Sequence, residues 1–117
     1  MKKATENHLG SAVPHWRWQR VSAIVTLPLI FYCVYFLAGI ATLDYPSART
    51  LVAAPSVAVP LVTLIIAGIY HAALGFQVIL EDYVPLTRGR IGLILLARIV
   101  LVGIALVSLM SLAWIKF

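Results

Sequence analysis

The stretch SVAVPLVTLIIAGIYHAALGFQVIL, residues 56–80, with Glu81, Asp82 and Tyr83 directly after it, decides the fold. No Asp, Glu, Lys or Arg interrupts it. At 1.5 Å per residue such a run spans about 37 Å as a helix, enough to cross a hydrocarbon core of about 30 Å. It carries one group that hydrocarbon does not tolerate alone, the imidazole of His71. An unsatisfied polar group in lipid costs several kcal/mol, so His71 needs a partner. Metals, cofactors, polar side chains and water-filled cavities are the usual ones. His71 lies about 15 Å from the following loop at the helical rise, in mid-membrane, where a short side chain cannot snorkel to water.

The helical period adds a face. Gly68, His71, Gly75, Val78 and Asp82 follow at spacings of 3, 4, 3 and 4 and share one stripe. Small residues let a second helix approach closely in a membrane. They equally open room for a flat macrocycle held by His71. Both readings stand at this level: an interhelical hydrogen bond, or ligation of a cofactor. Asp82 and Tyr83 put an acid and a phenol at the water interface, beside Glu81. They are ordinary boundary residues, or a ligand site in which Tyr83 donates a hydrogen bond and Asp82 supports it.

The rest of the chain agrees with a membrane class. Its 117 residues are 62% hydrophobic and 11% charged, with a mean hydropathy of +1.01. That is too apolar for a soluble domain of this size. Two further apolar runs, about 21–41 and 91–115, give three transmembrane helices. The fold class is an all-α membrane protein. Residues 1–117 are expected to form a single membrane domain with helices at about 21–41, 56–80 and 91–115. The linker 42–55, with Asp44, Pro46, Arg49 and Pro55, reads as a surface loop, and 81–90 as a second. Pro60 falls in the first turns of its helix, where proline is tolerated, and Pro28 inside the first predicts a kink. The net charge of +5 offers no basic face once the helices lie in lipid, which argues against nucleic acid. Cys33 is the only cysteine, so no internal disulfide and no cysteine-ligated iron–sulfur cluster can form within the chain.

Basic residues set the orientation. Lys2, Lys3, Arg17, Arg20, Arg88 and Arg90 lie on one side, Arg49 and Lys116 on the other. Six against two puts the N-terminus and residues 81–90 in the cytoplasm. Trp16, Trp18 and Trp114 then sit at the two interfaces, as aromatic belts require. The first apolar run is too long for a signal-peptide core, and the preceding residues lack a transit-peptide pattern. A permanent first span in a bacterial inner membrane is expected, with the mitochondrial inner membrane as the alternative.

Four other residues call for a reading. Arg20, at the mouth of the first helix, is a positive-inside anchor or a fork for an acidic ligand group. Arg98 lies well inside the third helix, where a charge faces the bundle, a cavity or the interface; no motif assigns it a role. His8 and His15 are expected to be solvated, with His15 near enough to the surface to touch a ligand or partner.

This arrangement resembles the small membrane-anchor subunits of succinate dehydrogenase (succinate:quinone oxidoreductase, respiratory complex II). The resemblance is carried by a helix-2 histidine, a glycine four residues later and Asp-Tyr eleven and twelve residues later, here His71, Gly75, Asp82 and Tyr83. The three-helix plan and the arginine in QRVSAIV agree. The resemblance implies an anchor for an FAD-bearing flavoprotein subunit and an iron–sulfur subunit. It also implies a haem b shared with a second membrane-anchor subunit, against which the three helices pack. His71 would be an axial ligand of the haem iron, and Arg20 would lie near the propionates. Tyr83 and Asp82 would serve ubiquinone. The chain has no GxGxxG fingerprint and no dicarboxylate-binding arginine cluster, so succinate oxidation belongs to a partner chain, and the catalytic residues here are none. Two alternatives remain: the anchor of a quinol:fumarate reductase, or a small transporter or assembly factor with His71 and Arg98 lining a polar path.

Overall fold

A computed structural model describes residues 2–85 and 88–117, with side chains from Pro14 onward. Four helices follow in order: α1 (Lys2–Ile40), α2 (Tyr45–Ala53), α3 (Pro55–Tyr83) and α4 (Arg88–Lys116). Three segments are long and apolar enough to cross a membrane, Pro14–Ile40, Pro55–Tyr83 and Arg88–Lys116. The all-helical, three-span architecture expected from the sequence is therefore present. The Lys2 and Lys3 side chains, the His8 side chain and residues Leu86 and Thr87 lie outside the described residues.

Prolines set the boundaries. A residue before proline is pushed out of the helical region by the pyrrolidine ring. Ala54, before Pro55, is extended at φ −62°, ψ 135°, and separates α2 from α3. Val84, before Pro85, is extended at φ −108°, ψ 125°, and ends α3. The third helix thus runs through Glu81, Asp82 and Tyr83, which sit on its last turn and not in a loop.

The linker 42–55 is not a loop throughout: nine of its residues form α2. Asp44 stands at the N-cap, and Pro46 falls in the first turn, where a missing N–H costs nothing. Thr50 Oγ donates back to the Pro46 carbonyl at 3.0 Å. Arg49 Nε donates to the Ile115 carbonyl at 3.1 Å and ties α2 to the end of α4.

Helix α3 is central, with α1 packed on one side and α4 on the other. Pro60 lies inside α3, and its missing N–H leaves the Ser56 carbonyl without its i+4 donor. Tyr32 of α1 supplies the replacement, donating to that carbonyl at 2.7 Å. Little else is enclosed: among the described residues only Ser22, Thr26, Cys33 and Val57 are buried. None of the apolar window of α4 is buried. A chain so apolar and so open needs lipid or other subunits against its flanks.

Candidate functional site

The face that α1 turns toward α3 is polar near the end shared with the α3–α4 connection. His15, Gln19, Ser22 and Thr26 follow at spacings of 4, 3 and 4, one stripe on a helix. Ser22 and Thr26 are buried, His15 and Gln19 half-buried. Opposite lies the stripe on α3 that includes His71. Ser22 Oγ stands 2.9 Å from His71 Nδ1 and 3.0 Å from the Gln19 carbonyl, to which it donates. His71 therefore has an in-chain partner, and its contact lies on Nδ1. Tyr83 lies twelve positions after His71 and Pro55 sixteen before it, which keeps the ring in mid-span.

The two glycines beside His71 do different things. A Cβ at Gly75 would lie in ordinary contact with the Gln19 side chain of α1, 3.5 Å from Nε2, so Gly75 faces α1. A Cβ at Gly68 would meet nothing within 4 Å. Space is open there on the His71 stripe.

A cleft of about 940 Å³ opens below this contact, lined among others by His15, Gln19, Arg20, Gly75, Glu81 and Arg90. Three buried polar atoms on α1 have no partner among the described residues: His15 Nε2, Gln19 Oε1 and Thr26 Oγ1. His15, expected to be solvated, is in fact half-buried, because α1 continues straight through its position and turns it toward α3. Arg20 holds its guanidinium 5.2 Å over the Trp16 ring. No hydrogen bond joins it to a carboxylate among the described side chains.

Asp82 and Tyr83 are placed differently from the rest. Both are exposed, Tyr83 at 83%, and neither lines the cleft. Within this chain they are not brought together with His71 or Arg20, and no side-chain hydrogen bond joins them among the described residues. The residue that is engaged on this turn is Glu81. Gln77 Nε2 donates to Glu81 Oε1 at 2.7 Å, while Arg98 donates to Gln77 Oε1 at 2.6 Å. Arg90 donates to the carbonyls of Glu81 and Val84, each at 3.4 Å. Arg98 thus reaches across from α4 to an amide on α3. That amide uses its oxygen for the guanidinium and its nitrogen for the carboxylate.

Sequence reasoning passes over Gln19, Ser22, Thr26 and Gln77. The 4-3-4 spacing on α1 is the available signal, the same kind that marks the His71 stripe. No cluster of three or more His, Cys, Asp or Glu able to hold a bare metal ion occurs among the described residues.

The family model described as succinate dehydrogenase/fumarate reductase transmembrane subunit matches residues 3–110. The succinate dehydrogenase hydrophobic membrane anchor subunit of Rickettsia bellii is 31% identical over 85 residues, covering 73% of this chain and 68% of that protein. The protein of the same description from Rickettsia typhi is 26% identical over 99 residues, covering 85% and 79%. That of Rickettsia felis is 29% identical over 90 residues, covering 77% and 75%. No solved structure matches the chain.

Proposed function

The chain belongs to the succinate dehydrogenase/fumarate reductase transmembrane-subunit family, and from that premise we propose that it binds haem b through His71 and helps form a ubiquinone site at Tyr83. The observation that carries this reading is the mid-span imidazole whose contact lies on Nδ1. That arrangement leaves Nε2 as the atom that would hold an iron. The surroundings fit such a group. Open space lies at Gly68 on the same stripe. Arg20 stands two residues from Ser22 on the side of the cleft, suited to a propionate carboxylate. A histidine of the second membrane-anchor subunit would share in holding the group.

Bound haem would supply one-electron redox chemistry. The residues of this chain bind and orient. His71 holds the iron and is itself held by Ser22. The exposed phenol of Tyr83 donates a hydrogen bond to a quinone carbonyl oxygen, where negative charge develops on reduction. Asp82, one residue away, supports the phenol. Reduction of the quinone needs two electrons and two protons, and a site on the last turn of α3 meets water for the protons. We place this turn and the N-terminus on the cytoplasmic side of a bacterial inner membrane, from the six-to-two division of basic residues. There the anchor meets a flavoprotein with FAD and an iron–sulfur subunit. The names of the relatives favour succinate oxidation as the direction.

The test is the spectrum of the assembled complex. A b-type haem should co-purify, and His71→Ala should replace its low-spin bis-imidazole signature with a five-coordinate or differently ligated one. An unchanged bis-imidazole signature in that variant rejects His71 as the ligand.

A further inference from the structure

We propose that Ser22 is the positioning residue that fixes the tautomer of His71, keeping the proton on Nδ1 and the lone pair of Nε2 bare. The inference rests on the haem reading above and goes one atom further. A serine hydroxyl has one proton and two lone pairs. Ser22 Oγ has two polar neighbours, the Gln19 carbonyl at 3.0 Å and His71 Nδ1 at 2.9 Å. A carbonyl only accepts, so the contact with Gln19 consumes the hydroxyl proton. The contact with His71 can then be a hydrogen bond only if Nδ1–H donates to Oγ. A neutral imidazole protonated on Nδ1 has its free electron pair on Nε2.

The reverse assignment breaks one of the two contacts. If the hydroxyl turned its proton to Nδ1, the Gln19 oxygen would lose its second donor and Nε2 would carry the hydrogen. A ring in that state cannot coordinate a metal through Nε2. Ser22 is only 6% exposed, so water does not readily take over the role of the hydroxyl. The back-bond to the Gln19 carbonyl also fixes the direction in which Oγ points, because serines within helices make this contact to their own preceding turn. The chain Gln19 carbonyl, Ser22 hydroxyl, His71 Nδ1 thus runs in one direction. It holds the imidazole plane and makes the ring a better electron donor.

The experiment compares Ser22→Ala, Ser22→Val and Ser22→Thr in the assembled complex, with assembly scored by succinate oxidation using a soluble acceptor. Val and Thr differ by a methyl in place of the hydroxyl. The readouts are the rate of haem transfer to an excess of haem-free globin and the haem midpoint potential. Ala and Val should lose haem about ten- to 100-fold faster, the usual penalty for removing a ligand's hydrogen-bond partner. Their potential should rise, because a weaker donor stabilises ferric iron less. Thr should restore both. Ala and Val complexes with wild-type potential and wild-type haem retention overturn the inference while leaving His71 ligation intact. Wild-type complex without b-type bands, or His71→Ala with an unchanged signature, removes the haem reading and this inference with it. Pulsed EPR on the remote imidazole nitrogens of the wild-type complex gives an answer that needs no substitution. Absence of any hydrogen-bonded Nδ1–H coupling assignable to His71 also overturns it.

Discussion

Replacing Gln77 by leucine should loosen α3 from α4 more than any other single polar change on α3. Gln77 accepts from Arg98 at 2.6 Å and donates to Glu81 at 2.7 Å. Leucine fills a similar volume and removes both bonds. Hydrogen bonds to charged groups are worth about 1.5–3 kcal/mol each in favourable cases. Interhelical polar contacts in membranes average nearer about 0.6 kcal/mol, because the separated helices also find partners. Arg98 is exposed on this chain and recovers part of its loss by snorkelling. A net cost of about 1–3 kcal/mol follows, roughly a five- to 150-fold shift in an unfolding equilibrium. The assay is reversible unfolding in bicelles, or dissociation of the anchor from the solubilised complex. Most of the cost comes from leaving a guanidinium unpartnered, so Arg98→Met should rescue it. The double variant Gln77→Leu with Arg98→Met should be more stable than Gln77→Leu alone, and a double-mutant cycle should give a coupling of at least about 0.5 kcal/mol. Additive effects in the cycle refute the reasoning, because they mean that the amide and the guanidinium do not act as one unit.

Tyr83→Phe should lower quinone reduction about three- to tenfold, the rate equivalent of one hydrogen bond of roughly 0.5–1.5 kcal/mol. Succinate oxidation with a soluble acceptor should stay unchanged in the same preparation, and wild-type quinone kinetics would sink the assignment of the hydroxyl. Cysteine introduced at Ser47, within α2, should be labelled from the periplasmic face by an impermeant reagent, and cysteine at Thr87 only from the cytoplasmic face. The native Cys33 is buried within the first span and adds no background. Labelling of Thr87 from outside reverses the orientation and with it the placement of the quinone site.

The spans were legible because hydrocarbon imposes one rule on every residue of a crossing helix. A run without charge is visible whatever it packs against. Boundaries were less legible. The α3 helix continues to Tyr83 because backbone geometry ends it at the residue before Pro85, whereas the hydropathic run already stops at Glu81. The nine-residue α2 hid behind its prolines. Pro46 and Pro55 read as loop signals when counted, but each occupies a first turn, where proline starts a helix. Position relative to a cap, not proline content, was the informative variable.

His71 on α3 and Arg20 and His15 on α1 stood out in the sequence, while Gln19, Ser22 and Thr26 on α1 did not, for a physical reason. A histidine in mid-membrane announces itself because its desolvation is costly. A serine or threonine there is cheap, since its hydroxyl can bond to its own preceding turn. Ser22 therefore looks like filler until its partner is in view. The pairing with His71 crosses 49 positions in sequence, and no local pattern specifies the depth at which two helices meet. The exposed Tyr83 and Asp82 illustrate the opposite case. Their spacing from His71 marks them in the sequence, yet no side-chain hydrogen bond engages them among the described residues. They stand on the last turn of α3, with Tyr83 83% exposed, where a neighbouring chain can complete a pocket around them.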